Sequence, residues 1–150
     1  MDKEGLGTYF SFFNEVGIIQ QLSSTLLEEH LPDGLLISHF SVVNHLMRVG
    51  EGRTPLAIAT AFQVPKTTLT HTLSGLEKFG FIEMRPNPSD GRSKLVYSTK
   101  AGRDFRDQSI QKMAPKMMEF AETFPLEEIE TVLPLLTRIR EKLDQDRNES

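Results

Sequence analysis

One hundred and fifty residues suit one domain, or one subunit of a compact dimer, with enough chain to bury a core. Hydrophobic residues at 38% and charged residues at 25% are ordinary for a soluble globular protein, no window approaches a membrane span, and Met1–Lys3 leads into no signal-peptide pattern, so a cytoplasmic chain with no membrane partner is expected. The absence of cysteine excludes disulfides, thiolate metal sites and a cysteine redox switch, while the net charge of −4, taken whole, argues against nucleic acid.

That charge is unevenly distributed. Residues 48–106 hold ten Lys and Arg against five Asp and Glu, whereas residues 1–47 hold one against six and residues 107–150 six against ten. A basic middle between acidic ends is what a chain shows when only its middle faces phosphate.

In chain order, Tyr9 to about Glu29 reads as a long helix. Phe12, Ile19 and Leu26 recur every seven residues with Val16 and Leu22 between them, and Phe10 and Phe13 widen the apolar band. Leu31-Pro32-Asp33-Gly34 ends it. Leu35 to Val49 is a second helix, its apolar face carried by Leu36, Phe40, Val43 and Met47 and its end marked by Gly50-Glu51-Gly52. His39 and His45 are six apart, on different faces, so they form no metal pair. A site joining His30, His39 and a carboxylate is the alternative to satisfied or exposed histidines; no metal or other cofactor is expected.

Thr54 offers an N-cap oxygen and Pro55 a first helical position that needs no N–H, so a third helix starts there, with Leu56, Ile58, Ala59 and Phe62 on its buried side. Pro65 breaks the pattern and opens a fourth helix after a connection short enough for a helix-turn-helix corner. At 100° per residue, Leu69, Leu73 and Leu76 fall at about 0°, 40° and −20°, a narrow core stripe, while Thr67, His71, Ser74 and Lys78 lie between roughly 140° and 200°. The outward face carries hydroxyls, an imidazole and an ammonium, with no carboxylate. Such a face is often plain solvated surface; it is also what a helix needs to approach base edges and phosphates in a major groove.

Gly80 ends this helix. Phe81–Arg85 and Lys94–Ser98 are β-prone runs joined by P-N-P-S-D-G-R-S, which makes a hairpin with a basic tip and completes a winged helix. Arg92 and Lys94 sit where a guanidinium can enter a minor groove, and Ser93 lies between them. Asp90 is expected to pair with Arg92 or Arg85 and so position the wing.

Ala101 to Glu122 is helical, with Ile110, Met113, Met117, Phe120 and Phe124 on one face and Pro115 expected to bend it. Met113, Met117 and Met118 read as core filling, or alternatively as an adaptable pocket wall. From Leu126 a last helix sets Ile129, Val132, Leu136, Ile139 and Leu143 on a heptad seam that Pro134 should kink. Pairing this seam with the aromatic first helix of a second copy, through Phe10 and Phe13, would bury both loose ends in a two-fold dimer.

The motif Asp90-Gly91-Arg92-Ser93, followed by Leu95, Ser98-Thr99 and Gly102, together with Leu76-Glu77-Lys78-Phe79-Gly80-Phe81-Ile82, resembles the multiple-antibiotic-resistance regulator (MarR) family of bacterial winged-helix repressors. The resemblance implies a mainly α fold with a small β-hairpin wing, in one domain of residues 1–150. The winged lobe would span about 35–100, and dimerisation helices about 6–31 and 101–146 would intertwine two copies. It implies a homodimeric, sequence-specific transcription regulator and no enzyme, bound to a double-stranded operator and released by a small aromatic or lipophilic effector. The effector's cleft is expected among the first, second and Met-rich helices, its residues unassigned. Lys66, Thr67, Thr70, His71, Ser74, Lys78, Arg92, Ser93 and Lys94 are the expected DNA contacts, with Arg85 and Asp90 positioning the wing. A winged helix that binds protein instead of DNA is the alternative.

Overall fold

The computed structural model describes residues 2–149. The chain divides into two compact units, Met1–Lys112 and Met113–Ser150. It is mainly helical, with one two-stranded antiparallel hairpin.

The first unit begins with α1, Lys3–Glu28, which starts six residues before the expected Tyr9 because Asp2 Oδ1 accepts the Gly5 N–H at 2.8 Å and caps it. Leu6, Phe10, Ile19 and Leu22 along it are exposed. Helix α2, Ile37–Val49, starts two residues later than the apolar spacing suggests. Leu36 is the N-cap and is exposed, and Leu35 before it goes into the core. The fully buried face of α2 is Val42, Val43 and Leu46, with Phe40 and Met47 packed beside it.

Helix α3, Pro55–Phe62, has Thr54 Oγ1 accepting the Ala57 N–H at 3.2 Å and Pro55 at its first turn. Ile58 and Ala59 are buried and Phe62 partly so, but Leu56, expected among them, is 64% exposed. It stands on the first turn, on the flank that faces the wing cleft instead of the core. Gln63 then takes a left-handed conformation at φ 53° and turns the chain into α4, Lys66–Lys78.

The stripe of α4 is buried as the wheel requires: Leu69, Leu73 and Leu76, joined by Thr72, face Ile58, Val43 and Val96 in one core. Its end is a Schellman closure. The N–H of Gly80, at φ 71°, donates to Glu77 O and that of Phe81 to Leu76 O. The hairpin follows as β1, Ile82–Pro86, and β2, Lys94–Ser98, in the register Ile82 to Ser98, Met84 to Val96 and Pro86 to Lys94. Strand β1 starts one residue later than expected because Phe81 belongs to the turn, its ring stacked on Phe105 with centroids 4.6 Å apart.

Phe105 lies on α5, Lys100–Thr123, whose first turn is tied to the end of α4. Thr99 Oγ1 donates to Gly80 O at 2.6 Å and accepts the Gly102 N–H at 3.0 Å. A Cβ at position 102 would lie 2.0 Å from Phe81 O, so glycine is required by contact with backbone.

The second unit holds the rest of α5 and α6, Leu126–Glu149. Both helices continue through their prolines, Pro115 and Pro134. The Phe120 and Phe124 rings meet at 4.7 Å. Val132, Leu136 and Leu143 of the expected seam are exposed, and Ile129 and Ile139 half-buried.

Candidate nucleic-acid interface

Burying Leu69, Leu73 and Leu76 turns the opposite face of α4 to solvent, and Lys66, Thr67, Thr70, His71, Ser74 and Lys78 are all exposed there. The Thr70 hydroxyl donates to Lys66 O at 2.8 Å, which leaves it an acceptor toward any outside partner. Lys66 and Lys78 stand at the two ends of the helix, separated by twelve residues and hence by about 18 Å of rise.

The wing tip is built from its own loop. Asn87 Nδ2 donates to Ser93 Oγ at 2.9 Å, Asn87 Oδ1 accepts the Ser89 N–H at 3.0 Å, and Asp90 Oδ1 accepts the Arg92 N–H at 3.0 Å. The expected ion pairs of Asp90 are therefore replaced by a backbone contact: the carboxylate fixes the loop through the amide of Arg92, and the Arg92 side chain is exposed. Arg85 pairs not with Asp90 but with Glu83, which holds its guanidinium more firmly charged, and lies 4.1 Å from the centre of the Tyr97 ring. Adjacent strand positions on one face brought these groups together, and no spacing rule singled out Glu83 or Tyr97.

Lys66 and Thr70 of α4 and Arg92, Ser93 and Lys94 of the wing line one cleft of about 470 Å³, with Leu56 and Met84 on its floor. Thr67, His71, Ser74 and Lys78 are not among its walls; they continue the exposed face of α4. Three cations, Lys66, Arg92 and Lys94, and one carboxylate, Asp90, thus line a groove between helix and wing.

The base of the wing depends on contacts that sequence reading missed. Val96 N–H donates to Arg53 O at 2.8 Å and Gly52 N–H to Val96 O at 3.0 Å, so the segment before α3 adds a short third rung to the hairpin. Glu51 accepts both the backbone N–H and the hydroxyl of Ser98, and Arg103 donates to Ser98 O at 2.8 Å. Nothing local in the sequence marks a pair 47 positions apart.

Among the described residues no cluster of three His, Cys, Asp or Glu side chains could hold a metal ion. His39 instead accepts the Leu36 N–H at Nδ1, 2.9 Å away, and His30 Nδ1 lies 2.8 Å from Leu26 O.

A second cavity, about 330 Å³, lies on the opposite flank of α4 between α1, α2 and the α3–α4 corner. Two of its walls are those expected for an effector cleft. The third is α4 itself, through Thr68, Leu69 and Thr72, where the Met-rich helix had been expected.

Residues 33–93, which carry the helix-turn-helix and most of the wing, match the family model described as MarR family. Over these residues the winged-helix lobe is similar to the MarR family. Beyond the lobe the similarity extends to the multiple antibiotic resistance protein MarR of Escherichia coli K12, 27% identical over 126 residues that make up 83% of this chain and 87% of that protein. A mutant of E. coli MarR in a crystal with operator DNA superposes with a TM-score of 0.71 at 24% identity, covering 93% of this chain and 99% of that one. The transcriptional regulator BldR of Sulfolobus solfataricus reaches 0.78 at 20% identity, covering 95% and 99%. This chain therefore has a MarR-type transcription-regulator fold, and among its described residues no helix is long and apolar enough to cross a membrane.

Proposed function

We propose that the chain is a homodimeric, sequence-specific DNA-binding repressor of the MarR type, released from its operator by a small aromatic or lipophilic molecule. The observation that carries this reading is the convergence of Lys66, Arg92 and Lys94 on the cleft beside an α4 face bearing hydroxyls, His71 and Lys78, with no carboxylate on that face. Thr67, Thr70, His71 and Ser74 would read base edges and nearby phosphates in the major groove, and Lys66 and Lys78 would neutralise phosphate. Arg92, Ser93 and Lys94 would enter the flanking minor groove, where a narrow, strongly negative channel favours guanidinium. Arg85, over the Tyr97 ring of β2, and Asp90, on the Arg92 amide, would position the wing for that contact.

Two copies would place two such helices about one turn of B-DNA apart on a pseudo-palindrome. Selection of bound fragments from the source genome, followed by electrophoretic shifts across a salt series, tests the reading. A specific duplex should emerge whose affinity falls steeply and log-linearly with salt. Binding that ignored salt, or that showed no preference between duplexes, would refute it.

A further inference from the structure

We infer that Asp90-Gly91, at the tip of the wing, is a site of spontaneous covalent modification, closing to a cyclic imide and reopening as an isoaspartyl linkage. The chain has two Asp-Gly dipeptides, at 33–34 and 90–91, and no Asn-Gly. In both, glycine leaves its amide nitrogen uncrowded by a Cβ, which attack on the neighbouring carboxyl requires. Both are exposed, yet the fold separates them. Gly34 sits at φ 82° in a turn closed by Leu35 N–H to Pro32 O at 3.1 Å, and a Cβ there would lie 3.5 Å from the Phe79 ring, with Leu35 itself in the core. Ring closure swings the peptide between the two residues and would pull on that packing. At Gly91 a Cβ would meet nothing within 4 Å, and among the described residues the Gly91 N–H has no acceptor.

The loop also holds the reacting groups. Asp90 Oδ1 accepts the Arg92 N–H at 3.0 Å, which folds the carboxyl back toward the Gly91 amide and puts a donor on the oxygen that gains charge as nitrogen adds to Cγ. In the first step the Gly91 nitrogen bonds to Asp90 Cγ and gives up its proton, which leaves with the Oδ2 hydroxyl as water. The Asp90 main-chain carbonyl, the other half of the imide, already accepts the Ser93 N–H at 3.1 Å and the Ser93 hydroxyl at 3.4 Å. In the second step solvent water adds to this polarised carbon and its bond to the Gly91 nitrogen breaks. The chain then runs on through Cγ, and the former carbonyl becomes a free carboxylate. One water leaves and one returns, with nothing oxidised or reduced. The product has an extra methylene in its backbone and Oδ1 becomes a main-chain oxygen, so the turn that seats Arg92 is lost. That this loss weakens operator binding rests on the function proposed above; the chemistry does not.

The full-length protein, held for several weeks at pH 7.5 and physiological temperature in isotopically labelled water, is mapped by mass spectrometry with fragmentation that distinguishes isoaspartate from aspartate. The expected result is a transient species short of one water, then label and isoaspartate at position 90, accumulating at least about tenfold faster than at position 33, as local freedom of the backbone dictates. In urea the two rates should converge. Gly91→Val, whose side chain the open space accommodates, should slow the reaction at position 90 at least about tenfold, because a β-branched residue is stiff and crowds its own amide. No isoaspartate at position 90, equal accumulation at both sites, a difference that survives unfolding, or indifference to Gly91→Val would overturn the inference. Shift assays of fresh and aged samples on the selected duplex should show binding lost in step with the isoaspartyl fraction. Conversion at position 90 with binding unchanged would uphold the site and refute the wing's contact with DNA instead.

Discussion

At the scale of single residues, His39 packs directly against α4. Its ring is buried, its Nδ1 accepts the Leu36 N–H, and its Nε2 therefore carries the proton and faces α4 at Gly75, where a Cβ would stand 2.6 Å away. Burial first, and His71 second, lower its pKa from the ordinary 6.5. The α2 N-terminus and the need for an unprotonated Nδ1 disfavour the charged ring further. A histidine whose folded pKa lies below its unfolded value binds fewer protons in the folded state, so stability is full above about pH 6.5 and declines as pH falls from there toward the folded pKa. His45, also lowered by burial and then by Arg48 and Arg53, adds to the same slope. Urea titrations between pH 5 and 7.5 should show this decline, and His39→Asn, whose Oδ1 can still accept the Leu36 N–H, should reduce its steepness. Gly75→Ala should destabilise by about 1–3 kcal/mol, as overpacking does, because the ring it meets is pinned by its own hydrogen bond. Combining it with His39→Ala should recover part of that loss in a double-mutant cycle.

At the scale of elements, the proposed function gives α4 and the wing separable duties. Arg92→Ala is expected to cost on the order of 1–3 kcal/mol of operator affinity and to relax base preference beside the wing, whereas Lys78→Ala should weaken all duplexes alike and lower the salt slope by about one. Shift assays on matched and mismatched duplexes over a salt series distinguish the two.

Much of this pair was legible from residue order. The leucine spacing of α4, the Thr54–Pro55 start of α3 and the run Lys94–Ser98 each follow from local rules that the tertiary structure leaves in force. What was not legible came from contacts beyond local reach. Phe81 was given to a strand by its β propensity but is held in the turn by Phe105, a residue twenty-four positions on. Leu56 was given to the core by its apolarity but stands on the flank of α3 that borders the wing cleft. Asp90 was matched to an arginine by charge, yet a short carboxylate in a tight loop reaches a backbone N–H two residues ahead more readily than a flexible guanidinium.

At the scale of the whole molecule, the exposed apolar side chains argue for a second copy. Phe10 is 74% exposed and Leu143 52%, and α1 and α6 each carry several more such residues, a surface that a soluble monomer seldom leaves uncovered. The chain is expected to sediment as a dimer at micromolar concentration. Phe13→Glu with Leu136→Glu should shift it to monomer and reduce operator affinity by orders of magnitude, since one lobe then binds without the gain from its twin. A variant that stayed dimeric would place the contact elsewhere.

The short rung between Arg53 and Val96 couples pieces that the chain order keeps apart, for it joins the lead-in to α3 to the base of the wing. The amides of Gly52 and Val96 close that rung from both sides. Deuterium uptake at these two positions should thus slow together when an operator clamps the wing, giving a readout of occupancy far from any nucleotide.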